Sequence, residues 1–375
     1  MPTAIPLRVS LLSLPLLLTF GCGGGSPAPR TPVTATSVPA VPPEFAYVTN
    51  HIDNTVSAYT ENSCTGSLTP TTPATFSTGN SPAAVAVDSS SKFVYVSNAD
   101  SATLSMYSIN PSTGILTPTT PATVPAGNTP SAIAVDPSGG FVYITNASDN
   151  TVSMYAIHSG SGVLTPLTPA AVVTGKTPSG VAVDPSGKFA YVTNEADNSI
   201  SMYTINSATG MLTPTIPPTV GTQFVPDAVA VDPSGRFAYA VNGNGETVTM
   251  YTIDSSTGIL TLNMPAAVAT GNQPDSIAID PSGRFAYVSA GGDGVSMYAI
   301  DASTGILMAN TPATISAGPD PQSVAVEPSG KFVYVTNGNA NSVSIYSIND
   351  NGTLTSAGTV VTGNGPLAIA LTKSQ

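Results

Sequence analysis

The chain has no tryptophan and only two cysteines and two histidines in 375 residues. The missing tryptophan excludes repeat types signed by a Trp-Asp dipeptide. Cysteine and histidine this sparse offer no spacing of the kind that holds a structural metal. Charge is scarce as well. Only 8% of residues are charged, and nine basic residues face 21 acidic ones for a formal charge of −12. That balance argues against nucleic acid, whose phosphates need a basic surface, and against docking of the folded part on an anionic membrane. The apolar run "VSLLSLPLLLTF" at 9–20 falls short of the roughly 20 residues that span a bilayer. What is plentiful is Thr, Ser, Ala, Gly and Pro, a composition common in exported β-proteins and unusual in cytosolic enzymes.

One word recurs. FAYVTN at 45–50 returns as FVYVSN, FVYITN, FAYVTN, FAYAVN, FAYVSA and FVYVTN. The central tyrosines are Tyr47, Tyr95, Tyr143, Tyr191, Tyr239, Tyr287 and Tyr334, a period of 48 residues that shortens to 47 at the last step. Within one unit, GVAVD is a short apolar strand, and DPSG is a type I turn with Asp184 at its start and Pro185 presetting φ. KFAYVTN is a second strand, NEADN a loop and SISMYTI a third strand. NSATG is a glycine-ended hairpin turn, and MLTP opens a fourth strand broken up by prolines, which suit an edge. A horseshoe solenoid would need a helix or a Leu/Asn ladder, and neither is present. Four antiparallel strands repeated seven times predict an all-β, seven-bladed β-propeller.

The two ends agree. No inner strand precedes the first FAYVTN, and one surplus strand, GPLAIALT at 365–372, follows the last repeat. The C-terminal strand should therefore complete the first blade and close the ring, leaving no free inner edge. Blades are numbered here by their tyrosines, from Tyr47 in blade 1 to Tyr334 in blade 7.

Residues 1–22 read as an export signal, with Arg8 before the apolar run and Gly21–Cys22 after it. The end resembles a bacterial lipobox, which makes Cys22 the expected lipidation site. Thr19 departs from that pattern, and an ordinary secretory signal with an incidental cysteine is the alternative. Residues 23–44, rich in Pro, Gly, Ser and Thr, read as a tether, and 45–375 as the propeller. The expectation is a monomeric lipoprotein of a bacterial cell envelope, reaching the membrane only through its lipid. Cys64, in a turn serine's place, is expected to be an unpaired surface thiol.

The repeat resembles the YVTN-type seven-bladed propeller, a group that merges with the lactonase propellers typified by bacterial 6-phosphogluconolactonase. "DPSGRFAYV" followed by "VSMYAIDASTGIL" carries the likeness, which extends over 45–372. It implies a ligand site at the channel mouth on the top face, where the NxxDN loops lie, and lactone hydrolysis as a function.

Departures from the repeat are where a site should be. The residue after each inner-strand proline should line the mouth. From blade 2 onward these are Ala83, Ser131, Ser179, Asp227, Asp275 and Gln322, with Leu367 in blade 1. Asp227, Asp275 and Gln322 stand on consecutive blades, and Glu195 in the loop of blade 4 reaches toward the same sector. Two carboxylates and an amide suit a hard cation such as Ca²⁺, with Asp227 and Asp275 as its ligands, or the hydroxyls of a sugar. A close carboxylate pair can also share a proton and act as acid and base, which makes Asp227 and Asp275 the catalytic candidates. Ten acidic side chains, Asp293 among them, face the single Lys176 on the top, so a phosphorylated substrate is disfavoured. Five basic residues follow the bottom turns and are expected to pair weakly with turn carboxylates, a docking ring being the alternative. His51 and His158 lie on opposite faces. The near-identity of the blades favours a binding head for an envelope protein or carbohydrate, and lactone hydrolysis is the alternative.

Overall fold

The computed structural model describes residues 43–292 and 294–373. The expected signal segment, Cys22, nearly all of the expected tether and Asp293 lie outside the described residues. Twenty-eight strands are present, and no helix is found among the described residues. They form seven four-stranded antiparallel sheets. Blade 4 is typical, with strands Pro178–Val183, Phe189–Asn194, Ser199–Ile205 and Leu212–Gly221 running from channel to rim. Blade 1 takes Pro366–Leu371 as its inner strand, in register Tyr47↔Ala370 and Val48↔Ile369. The expected closure is therefore observed. Glu44, expected to end the tether, instead opens the first strand and pairs with Glu61.

Each letter of the repeated word has a partner. The phenylalanine lies beneath the turn glycine of the next blade. Gly258 sits at φ +73 with Phe189 directly below, where a Cβ would come within 2.2 Å of the ring. Glycine is needed there for both reasons. The tyrosine reaches past that ring to the same glycine's carbonyl. Tyr191 Oη donates to Gly258 O at 2.9 Å, and six equivalent bonds run from Tyr47, Tyr95, Tyr143, Tyr239, Tyr287 and Tyr334. The other seven tyrosines point backward, as Tyr203 Oη does to Val173 O at 2.9 Å. All 14 tyrosines thus tie neighbouring blades in both directions. Each buried phenol is satisfied, and each such bond contributes about 1 kcal/mol net.

The threonine of the word fills a gap in the ladder. The register slips between Pro178 and Val181, and Thr193 Oγ1 accepts the freed Gly180 amide at 2.7 Å. The asparagine spans the top loop, Asn194 Nδ2 donating to Ser201 Oγ at 3.0 Å. Both faces of the second and third strands are buried, so small apolar residues fill both alternating sets of positions.

Three expectations need correction. The outer strands are continuous runs of up to ten residues, and the break falls in their pairing, which jumps from Ser201↔Thr219 to Tyr203↔Pro214. Their prolines sit on the free edge and at a register shift opposite Ser201 and Tyr203, where a missing N–H leaves no ladder bond unmade. The basic residues after the bottom turns do not need the turn carboxylates, which are already engaged. Asp232 Oδ1 accepts the amides of Arg236 and Phe237, both at 2.8 Å, while the Arg236 guanidinium donates to Ala302 O and Ser303 O in the next blade and lies over Phe237. Finally, Cys64 is disulfide-bonded rather than a free thiol.

Candidate functional site

The channel mouth is built by the turn that enters each inner strand. Val225, before Pro226, holds φ 53, a conformation that L residues rarely adopt. Hydrogen bonds from two blades hold it there. Val225 N donates to Asn198 Oδ1 at 2.8 Å, and Val225 O accepts from Gly243 N at 2.8 Å. The next residue, Asp227, is thereby set at the mouth. In blades 3 and 4 that place belongs to serine, and Ser179 Oγ donates to Pro226 O of the following blade at 2.9 Å. From blade 5 the serine is replaced by Asp227, Asp275 and Gln322, all half-buried.

Eight acids of the top face fall into two groups. Asp53, Asp149 and Asp197 accept the loop amides of Asn364, Asn128 and Lys176, each at 2.7 Å, and Asp100 accepts from Ser81 Oγ. They are structural. Glu195, Asp227, Asp275 and Asp320 act on one another around the mouth. Burial, and then the charges of Glu195 and Asp275, push Asp227 up to about 7 against a hydrogen bond from the Gly243 amide. Burial and the charge of Asp320 push Asp275 up to about 7. Burial raises Glu195 as well. Gln322 is oriented by its neighbour, Nε2 donating to Asp320 Oδ1 at 2.8 Å.

The residues expected from sequence therefore lie in one arc, Glu195, Asp227, Asp275 and Gln322 on blades 4 to 7, and Asp320 joins them. The signal for the arc was in the sequence. The first loop residue is His51, Ala99, Ala147 and Glu195 in blades 1 to 4, but Gly243, Gly291 and Gly338 in blades 5 to 7. A Cβ on Gly243 would lie 2.2 Å from Asp227 Oδ2, and one on Gly338 2.7 Å from Asp320 Oδ2. The glycines make room for the acids. His51 holds in blade 1 the place of Glu195, and its Nδ1 is buried without a hydrogen-bond partner. His158 lies in a bottom turn beside Ser161. A carboxylate trio tight enough to share an ion is found among the described residues elsewhere, at the seam of blades 7 and 1, and not at the mouth. A cleft of about 220 Å³ near Val173, Thr174, Ser201 and Pro214 lies on the outer strands and holds no carboxylate.

This arrangement can do acid–base work. Two carboxyl groups on adjacent blades, each drawn to neutrality, supply a base and an acid together. Among the described residues the groups acting on Asp227, Asp275 and Glu195 include no cation.

Comparison with known proteins agrees with the fold. The profile described as "Lactonase, 7-bladed beta-propeller" matches residues 40–177, 165–264 and 261–371. No curated protein matches. Among solved structures, a Bacteroides uniformis protein provisionally named a 6-phosphogluconolactonase superposes with a TM-score of 0.75 at 20% identity, covering 88% of this chain and 99% of its own. The periplasmic gluconolactonase PpgL of Pseudomonas aeruginosa superposes at 0.72 and 17%, covering 88% and 100%. Hydrazine synthase of Kuenenia stuttgartiensis superposes at 0.59 and 19%, covering 77% and 89%. At these identities the structures speak for the fold alone. The profile covers nearly all of the propeller, and the chain belongs to the family of seven-bladed β-propeller lactonases.

Proposed function

We propose that this chain hydrolyses a small uncharged sugar lactone at the acidic mouth, with Asp227 and Asp275 as the catalytic pair. The family match reverses the preference for a non-catalytic binding head that the likeness of the blades had suggested. The carrying observation is the pair itself: two half-buried carboxyl groups on consecutive blades, each raised to about 7.

The step follows from that state. The ionised member takes a proton from water as its oxygen attacks the lactone carbonyl carbon. The protonated member gives its proton to the ring oxygen as the C–O bond breaks. The product is a hydroxy acid whose carboxyl proton passes to solvent, and the carboxylate so formed is repelled by the acidic arc, which favours release. Gln322, oriented by Asp320, is an amide donor in the adjoining blade for the carbonyl oxygen, and Glu195 borders the substrate's hydroxyls. Residues 1–22, read as an export signal, would carry this activity to the cell envelope.

The test is hydrolysis of gluconolactone and its 6-phosphate by the purified chain, corrected for spontaneous opening. The reading expects turnover of the neutral lactone above that of the phosphate. It expects Asp227→Asn or Asp275→Asn to lose roughly 10²-fold or more in rate, the usual weight of one acid–base group. Absence of turnover on any neutral lactone would return the propeller to a binding role.

A further inference from the structure

Three residues at the end of the ring opposite the mouth break the repeat, and each places a glutamate where the other blades have something else. The residue before the repeated phenylalanine is Lys92, Gly140, Lys188, Arg236, Arg284 and Lys331 in six blades, and Glu44 in blade 1. The third strand ends in Ile109, Ile157, Ile205, Ile253, Ile300 and Ile348, and in Glu61 in blade 1. The turn acid is Asp88, Asp136, Asp184, Asp232 and Asp280 in five blades, and the longer Glu327 in blade 7.

The fold gathers these departures. Glu44 and Glu61 are register partners, so their side chains leave one face of blade 1 together. That face packs on blade 7, where Ala46, Tyr59 and Leu68 meet Phe332 and Tyr334. Glu327 closes the inner strand of blade 7 at the same seam. The three carboxylates have oxygens within 4.8 Å of one another, and the residues are only 4%, 5% and 0% exposed.

Hydrogen bonds answer part of this charge. Glu327 accepts from the Ser329 and Lys331 amides and from Ser329 Oγ, and Glu61 Oε1 accepts from Tyr334 Oη at 2.7 Å. Glu61 Oε2 is buried beside the other two carboxylates with no hydrogen-bond partner among the described residues. Burial and the charges of Glu327 and Glu44 act together to raise Glu61, and no cation among the described residues is seen to act on it. A buried carboxylate oxygen left without a hydrogen bond, as Glu61 Oε2 is, is expensive, and the six other blades avoid it by using isoleucine at that position.

We propose that Glu44, Glu61 and Glu327 bind a hard divalent cation of calcium's chemistry at the seam between blades 7 and 1. The Gly66 carbonyl, which Tyr334 Oη reaches at 2.8 Å, is a further oxygen at the same place. Oxygen ligands with a surplus of carboxylate suit Ca²⁺. The seam is the junction where the two ends of the propeller meet, so the ion clamps ring closure. This site is independent of the mouth and of the hydrolase reading.

The experiment is a calcium titration of the chelator-treated full chain, followed by calorimetry and thermal melting. Glu61→Ile restores the residue of the other six blades and keeps the fold testable. The wild type should bind one ion per chain, and its melting temperature should rise by roughly 3–8 °C at calcium about 100-fold above Kd. Glu61→Ile should lose that rise, and Asp227→Asn/Asp275→Asn should keep it. Tb³⁺ gives a second readout, since emission sensitised by tyrosine meets no tryptophan background, and it should fall in Glu61→Ile. A wild type that neither binds nor responds to Ca²⁺, Mg²⁺ or Mn²⁺ overturns the proposal in favour of a protonated cluster. A response kept by Glu61→Ile and lost by the mouth variant overturns it in favour of the mouth.

Discussion

At the residue scale the protein is a set of letters whose partners sit one blade away. Tyr191 and Gly258 are 67 residues apart, so no local reading reveals their bond, although the recurrence of both was plain in the sequence. Tyr191→Phe should cost about 1 kcal/mol, read as a lower melting temperature, because it strands the Gly258 carbonyl without moving the ring. Gly258→Val should cost more, since Phe189 fills the space and φ is positive there. The raised acids make a different prediction. Asp227 and Asp275 keep their protons longer folded than unfolded, so their contribution to stability is complete below the ordinary carboxylate range and is lost as pH rises through about 7. Asp227→Asn should therefore raise the melting temperature at pH 8 and leave it nearly unchanged at pH 4, as calorimetry at the two values would show. A larger gain at pH 4 would contradict the assignment.

At the element scale, strand boundaries were legible because turn glycines and prolines punctuate every unit. The closing strand was legible because the repeat count did not come out even. The prolines of the outer strands break the pairing and not the run of the strand, a distinction that only the assembled sheet shows. The site was legible in part for the same reason. Asp227, Asp275 and Gln322 stand out against the serines of their own repeat position. Asp320 and His51 do not, and the companion glycines at 243 and 338 gain meaning only when Asp227 and Asp320 are seen above them. Cys64 was misread because spacing cannot show a bridge. Removal of residues 366–375 should take away the inner strand of blade 1, expose Tyr47 and Val48, and turn a single sharp melt into a broad one with dye-binding apolar surface. A truncated chain that melts as sharply as the whole would contradict the closure.

At the scale of the whole molecule, near-identical blades make a rigid ring, and chemistry is confined to where the blades differ. Carboxylates that break the repeat gather at two places, the acidic arc at the mouth and the trio at the seam. On the proposed reading charge sets the substrate class: the acidic arc would admit a neutral lactone and expel an anionic product. The central claim is that Asp227 and Asp275 act as a coupled acid–base pair, and the pH dependence of kcat/KM for a neutral sugar lactone tests it most directly. The account predicts a bell centred near neutrality, with apparent values belonging to the pair, that disappears with most of the activity in Asp227→Asn/Asp275→Asn. Turnover with an unchanged profile in that variant would contradict it.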